Sequence, residues 1–221
     1  MSDQTATAGS FPERERGDAR ASMGYRIWDA WRDMRLSTRR LIEENPSEHR
    51  LLFYVLLSDI IFFLSWSMKT VVAPVSGVRE QVPVEIGVWL IGALLLRTAS
   101  MYLFSLIVWL GTRSAGGQGS WRDTRAGIFW GALVAAPFGF IMAFFTVCMS
   151  WLEPLYPILR EDWVALPPYW ISLVPFLWFI SQGVAESNRL QKNAGIFLIM
   201  SGVALVAMIV FMTLNFSGGH F

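Results

Sequence analysis

The chain has 221 residues, of which 54% are apolar and only 16% charged, where soluble globular domains carry ~25% charged residues. With 11 Trp, 16 Phe and a mean hydropathy of +0.43, the composition excludes a disordered chain and argues against an ordinary soluble domain. A net charge of +1 gives no sign of a nucleic-acid partner, and the single cysteine, Cys148, excludes an internal disulfide framework or a multi-cysteine metal site.

Residues 1–24 are polar and carry the mixed-charge run Glu13-Arg14-Glu15-Arg16. They read as a disordered cytoplasmic tail. They contain no apolar core of the kind a cleavable signal peptide needs. Residues 25–50 read as an amphipathic interfacial helix and a linker. Over Tyr25–Glu44, Ile27, Trp28, Trp31, Met34, Leu41 and Ile42 recur at helical spacing, with Arg26, Arg32, Arg35, Arg39 and Arg40 interleaved. Trp on one face and Arg on the other suit a helix lying in the headgroup plane. Two roles stay open for it: docking to a membrane surface or partner, or simply orienting the first span. Asn45-Pro46-Ser47 ends it, because the residue before proline disfavours the α region.

Five apolar stretches follow: 51–68, 84–110, 126–152, 164–185 and 194–216, of 18, 27, 27, 22 and 23 residues. A spanning helix needs ~20 apolar residues. The expected fold is therefore all-α, a polytopic bundle of five transmembrane helices over 51–216. No loop is long enough for a second domain. Lys and Arg number 14 on the side of the N-terminal arm and three on the other. That bias places the N-terminus in the cytoplasm and the tail 217–221 outside it.

Asp59 and Arg97 are the ionisable groups inside consecutive spans. A charge at the bilayer centre costs at least ~2.5–3.5 kcal/mol, so each needs a partner. The expectation is an intramembrane ion pair, acting either as a structural tie or as a relay for transport. Gly127, Gly131, Ala135, Gly139 and Ala143 recur every fourth residue and form a small-residue face for close helix packing. Pro137 and Pro175 are expected to kink the third and fourth spans. The glycine-rich, basic segment Gly111–Arg125 lacks the spacing of a phosphate loop. It reads as a flexible turn whose arginines meet anionic headgroups. His49 and His220 fall on opposite sides of the membrane. No nucleophile–base set or metal-ligand spacing can be assembled, so neither catalysis, a cofactor nor a metal is expected. Lipids, and a membrane-protein partner or a second copy, are the expected partners.

Two stretches carry a family resemblance: Leu41–Leu64 (LIEENPSEHRLLFYVLLSDIIFFL) and Arg97–Pro137 (RTASMYLFSLIVWLGTRSAGGQGSWRDTRAGIFWGALVAAP). The second holds an Arg and a Tyr, then GGxGSWxxTR, then FW and AAP. In this order of features the chain resembles the Yip family of Ypt/Rab-interacting membrane proteins, most closely its proteobacterial members. The resemblance implies a cytoplasmic arm before five packed spans, a bacterial inner-membrane location and an adaptor without catalytic residues. Eukaryotic relatives are implicated in vesicle trafficking and in recruiting prenylated Rab GTPases.

Overall fold

A computed structural model describes residues 22–68, 86–161, 164 and 171–217. The tail 1–21 and the residues Lys69, Arg79, Glu85, Asp162, Pro167, Pro168 and His220 lie outside the described residues. The described chain is all helical. In chain order it holds α1 (Met23–Arg32), α2 (Met34–Glu43), α3 (Glu48–Ser67), α4 (Ile86–Ser114), α5 (Trp121–Leu152), a 3-10 turn (Pro157–Arg160), α6 (Leu173–Ser187) and α7 (Ala194–Ser217).

Among the described residues three stretches are long and apolar enough to cross a bilayer: Glu48–Ser67, Gly92–Ser114 and Trp121–Leu152. Their ends follow local signals more than the edges of the apolar runs. Ser47 caps α3 by accepting from the Arg50 N–H. Ser120 and Asp123 form a reciprocal capping box that starts α5 five residues ahead of its apolar run.

The single helix expected over 25–44 is two helices. Asp33 leaves helical geometry at φ −147°, and its carboxylate accepts from the Leu36 N–H at 2.9 Å. A side chain that competes for backbone donors ends one helix and caps the next. The inward face of the pair is Ala30, Met34, Thr38 and Leu41, all buried. That face meets protein: α2 packs on α6 and α5, and α1 packs on α2 and α5.

Helix α5 is the mast of the bundle, touching α6, α3, α4, α2 and α1. From Thr124 to Ala135 every residue is buried. Beyond that, Phe140, Ile141, Phe144, Phe145 and Trp151 are exposed, as suits a lipid-facing surface. The small-residue face of α5 divides between two partners. A Cβ on Gly127 would sit 2.5 Å from the Gly183 carbonyl oxygen, and one on Gly131 would sit 3.0 Å from the Ile180 Cα, both on α6. Farther along, a Cβ on Gly139 would meet only the Ser65 hydroxyl of α3, at 3.9 Å. Ala135 and Ala143 are buried.

The two prolines differ. Pro137 lies well inside α5. Pro175 is the third residue of α6, just after Ser172, whose backbone is also α-helical, and the helical residue Ile171. Having no backbone N–H, it cannot bond the Ile171 carbonyl one turn back.

The reciprocal glycine contact makes a direct prediction. Gly183→Ala drives a methyl into Gly127, and overpacking of this kind costs roughly 1–3 kcal/mol. Thermal unfolding in detergent should show a lowered midpoint for Gly183→Ala, whereas Gly202→Ala, with nothing within 4 Å, should leave it unchanged.

Candidate functional site

Two polar clusters stand out, one inside the bundle and one at its end. Inside, α3 places Asp59 and α4 places Arg97 in direct contact, Arg97 Nη1 against Asp59 Oδ1. The Asp59 side chain is fully buried. Its second oxygen accepts from the Thr98 hydroxyl at 2.6 Å. The Arg97 guanidinium also lies 4.4 Å from the centre of the Phe62 ring. A cavity of about 300 Å³ adjoins the pair, lined by Phe62, Phe63, Trp66, Ala93 and Leu94. The surroundings are thus apolar, and the carboxylate is compensated by one cation and one hydroxyl. The neighbouring hydroxyls of Ser58 and Ser65 bond carbonyls of their own helix, Val55 and Ile61. Among the described residues no chain of hydrogen bonds leads from Asp59 along the bundle.

At the end of the bundle, the arm, the α4–α5 loop and the α6–α7 loop come together. Helix α6 ends in a left-handed closure: Arg189 takes φ 57°, and the Leu190 N–H returns to the Ala185 carbonyl at 2.8 Å. Arg35 then donates to the exposed carbonyls of Leu190 (2.6 Å) and Gln191 (3.0 Å). Arg35 Nε also pairs with Glu186 at 3.0 Å, and Arg39 Nε pairs with the other Glu186 oxygen at 2.7 Å. That hydrogen bond holds the Arg39 guanidinium above its ordinary pKa. One carboxylate thus clasps two arginines a helical turn apart. An open cavity of about 520 Å³ lies beside it, bordered by Glu43, Gln118 and Arg189.

The arm has two further anchors on α5. Trp31 Nε1 donates to the Val134 carbonyl at 2.8 Å, three residues before Pro137, and its ring lies 5.1 Å from Phe138. Trp130 Nε1 donates to Ser37 at 3.0 Å. Trp28, Arg32 and Arg40 remain on the exposed side, with the Arg32 guanidinium 5.5 Å over the Trp28 ring.

The glycine-rich segment is not a loose turn over headgroups. The Asn188 carboxamide, buried just past α6, accepts from Thr112 at 3.0 Å and donates to Thr124 at 3.2 Å and to the Val184 carbonyl at 3.0 Å. Its backbone carbonyl accepts from Gln118 N–H at 3.2 Å. Gly119 leaves no room for a Cβ against Ser187. Arg122 donates to the Pro46 carbonyl at 2.5 Å, and Arg125 pairs with Glu48 at 2.7 Å while stacking 4.3 Å over Trp121. These arginines bind protein because the Pro46 carbonyl and the Glu48 carboxylate lie within their reach.

The structure thus joins Asp59 to Arg97 and gives Arg35, Arg39 and Trp31 protein partners. Sequence reasoning missed Glu186 and Asn188. For Glu186 a signal exists: a lone carboxylate ending an apolar run, matched by arginines spaced i, i+4. Asn188 carries none, since a single Asn in a loop is unremarkable. Among the described residues no three His, Cys, Asp or Glu side chains are grouped to hold a metal.

These features define an all-helical membrane protein whose internal polar groups tie helix to helix. The family model described as the Yip1 domain matches residues 28–214. The chain belongs to the Yip family. No curated protein and no solved structure matches it.

Two predictions follow from the clusters. Asp59→Asn leaves Arg97 without its counter-charge, and breaking a buried pair costs ~3–5 kcal/mol. The yield of folded protein should fall sharply, and Asp59→Arg combined with Arg97→Asp should recover part of it. Glu186→Ala removes the clasp on both arginines. Limited proteolysis should then cut within residues 25–44 several times faster than in the unsubstituted chain, while the membrane bundle survives.

Proposed function

We propose that this chain is a non-enzymatic integral membrane adaptor or membrane-organising protein of the proteobacterial Yip type. It resides in the bacterial inner membrane, crosses it five times and keeps its N-terminus in the cytoplasm. The observation that carries the reading is how the polar groups are used. Asp59–Arg97, Glu186 with Arg35 and Arg39, and Glu48–Arg125 each join separate elements of the fold. Groups that bind one another in this way serve architecture, and membership of the Yip family points in the same direction.

The orientation rests on the basic bias of the segments gathered at the end where the arm sits. The count of five spans rests on the three long apolar helices together with the apolar runs that contain α6 and α7. A transport role for Asp59 and Arg97 has less support. Their bonding capacity is directed at each other and at Thr98, with apolar side chains around them.

An adaptor acts through assemblies. After mild solubilisation, the 25.0 kDa chain should migrate in a discrete complex. Photo-crosslinkers placed at exposed positions of the arm end should trap a defined partner or a second copy. A chain that repeatedly runs alone and traps nothing overturns the adaptor reading.

A further inference from the structure

Contacts along α5 give a depth scale for the bundle. Tyr54 of α3 stacks on Trp130 at 5.2 Å, and Tyr102 of α4 meets Phe129 at 4.9 Å. The neighbouring Phe53 and Leu103, 52% and 58% exposed, therefore sit level with Trp130 and face outward. Ile107 and Leu110 continue this exposed apolar surface along α4 toward the end of the bundle where the arm is. Leu198 and Ile199, 68% and 70% exposed, do the same on α7 one turn from its start at that end. Large apolar side chains on membrane-spanning helices face lipid, so lipid reaches nearly to that end of the bundle.

The arm reaches from the end of the bundle, where Arg35 bonds the Leu190 and Gln191 carbonyls past α6, down to this level. Its lowest anchors, Trp31 on the Val134 carbonyl and against Phe138, contact α5 about 20 Å beyond its first residue at ~1.5 Å per residue. Trp130 reaches Ser37 at the depth of Phe53 and Leu103. The α1–α2 pair therefore runs from the α6–α7 loop to the level of Val134, and its α1 side lies beside α5 at the depth where α3 and α4 face lipid.

The outer face of the pair matches that position. Tyr25, Trp28 and Leu36 are 70%, 51% and 41% exposed, and Arg32 stacks over Trp28. Aromatic rings, an aliphatic residue and arginine together suit the boundary between headgroups and the first methylenes. Asp29, Arg32 and Asp33 are exposed on either side of Trp31, the lowest anchor, so the deepest part of the pair stops at the headgroup boundary and stays out of the hydrocarbon.

We infer that the α1–α2 pair is a wedge embedded in the leaflet on its own side, with the lipid of that leaflet as the ligand of its outer face. Its volume displaces lipid from one leaflet, and shallow one-leaflet insertion of this kind is coupled to membrane curvature. The inference deepens the membrane-organising part of the proposed function. It requires no protein partner, so it stands or falls separately from the adaptor reading.

Depth measurement on the full chain tests it. In a Cys148→Ala background, Tyr25→Cys and Glu43→Cys each carry a fluorophore, in vesicles of phosphatidylethanolamine and phosphatidylglycerol. At position 25, nitroxides on the upper acyl chain should quench at least twice as strongly as nitroxides at the chain end, and iodide should quench weakly. At position 43, iodide should quench freely. Free iodide quenching at position 25, with no effect of either nitroxide, overturns the wedge. A second measurement reads the consequence. Raising the protein-to-lipid ratio should shift reconstituted vesicles to smaller diameters, and Tyr25→Glu with Trp28→Glu should abolish the shift while leaving Trp31, Arg35 and Arg39 in place. Equal diameters for both proteins overturn the link to curvature.

Discussion

The backbones of α5 and α6 touch at Gly127 and Gly183, each glycine occupying the space a side chain would need on the other. In lipid, apolar surface is not driven together by water, so helices associate through close packing and polar contacts. This crossing brings the ends of α5 and α6 together at Thr124, Ser187 and Asn188. The Asn188 carboxamide can then bridge Thr112 of α4 and Thr124 of α5, and the glycine-rich loop closes over it. Glu186, one turn past Gly183, is left facing α2, where Arg35 and Arg39 reach it. A wider crossing would pull these groups apart together.

Buried polarity in this bundle is arranged locally. Asp59, Arg97 and Thr98 complete one another within an apolar setting, and Trp31 reaches a carbonyl of α5 close to Pro137. A buried pair seldom adds net stability, because desolvation offsets attraction, yet removing one member is strongly destabilising. The Asp59–Arg97 contact therefore specifies which faces of α3 and α4 meet. The clasp at Glu186 does the corresponding work for the arm, in a more exposed place where salt and water weaken it.

The class of fold was legible from hydropathy alone, since a 27-residue apolar run such as 126–152 has few alternatives to a long helix. The Asp59–Arg97 contact was legible because two charges stranded in neighbouring spans have few places to go. The arm reads from sequence as one helix and is two. Asp33 breaks it, and its apolar face and two of its arginines turn to protein rather than headgroups. The loop 111–125 was misjudged for a related reason. Glycine richness reads as flexibility, whereas Gly119 is needed where backbone meets Ser187 without room for a Cβ.

By itself the sequence determined the helical membrane class and the two charges that require partners. These follow from composition and period, which are local properties of the chain. Only the tertiary structure decided that the small-residue face serves α6 first and α3 later, and that Glu186 and Asn188 hold the arm end together. Each of these depends on which surfaces meet at a particular register. A shift of one residue along a helix turns a side chain through about 100°, so the register is settled only when all the helices pack at once.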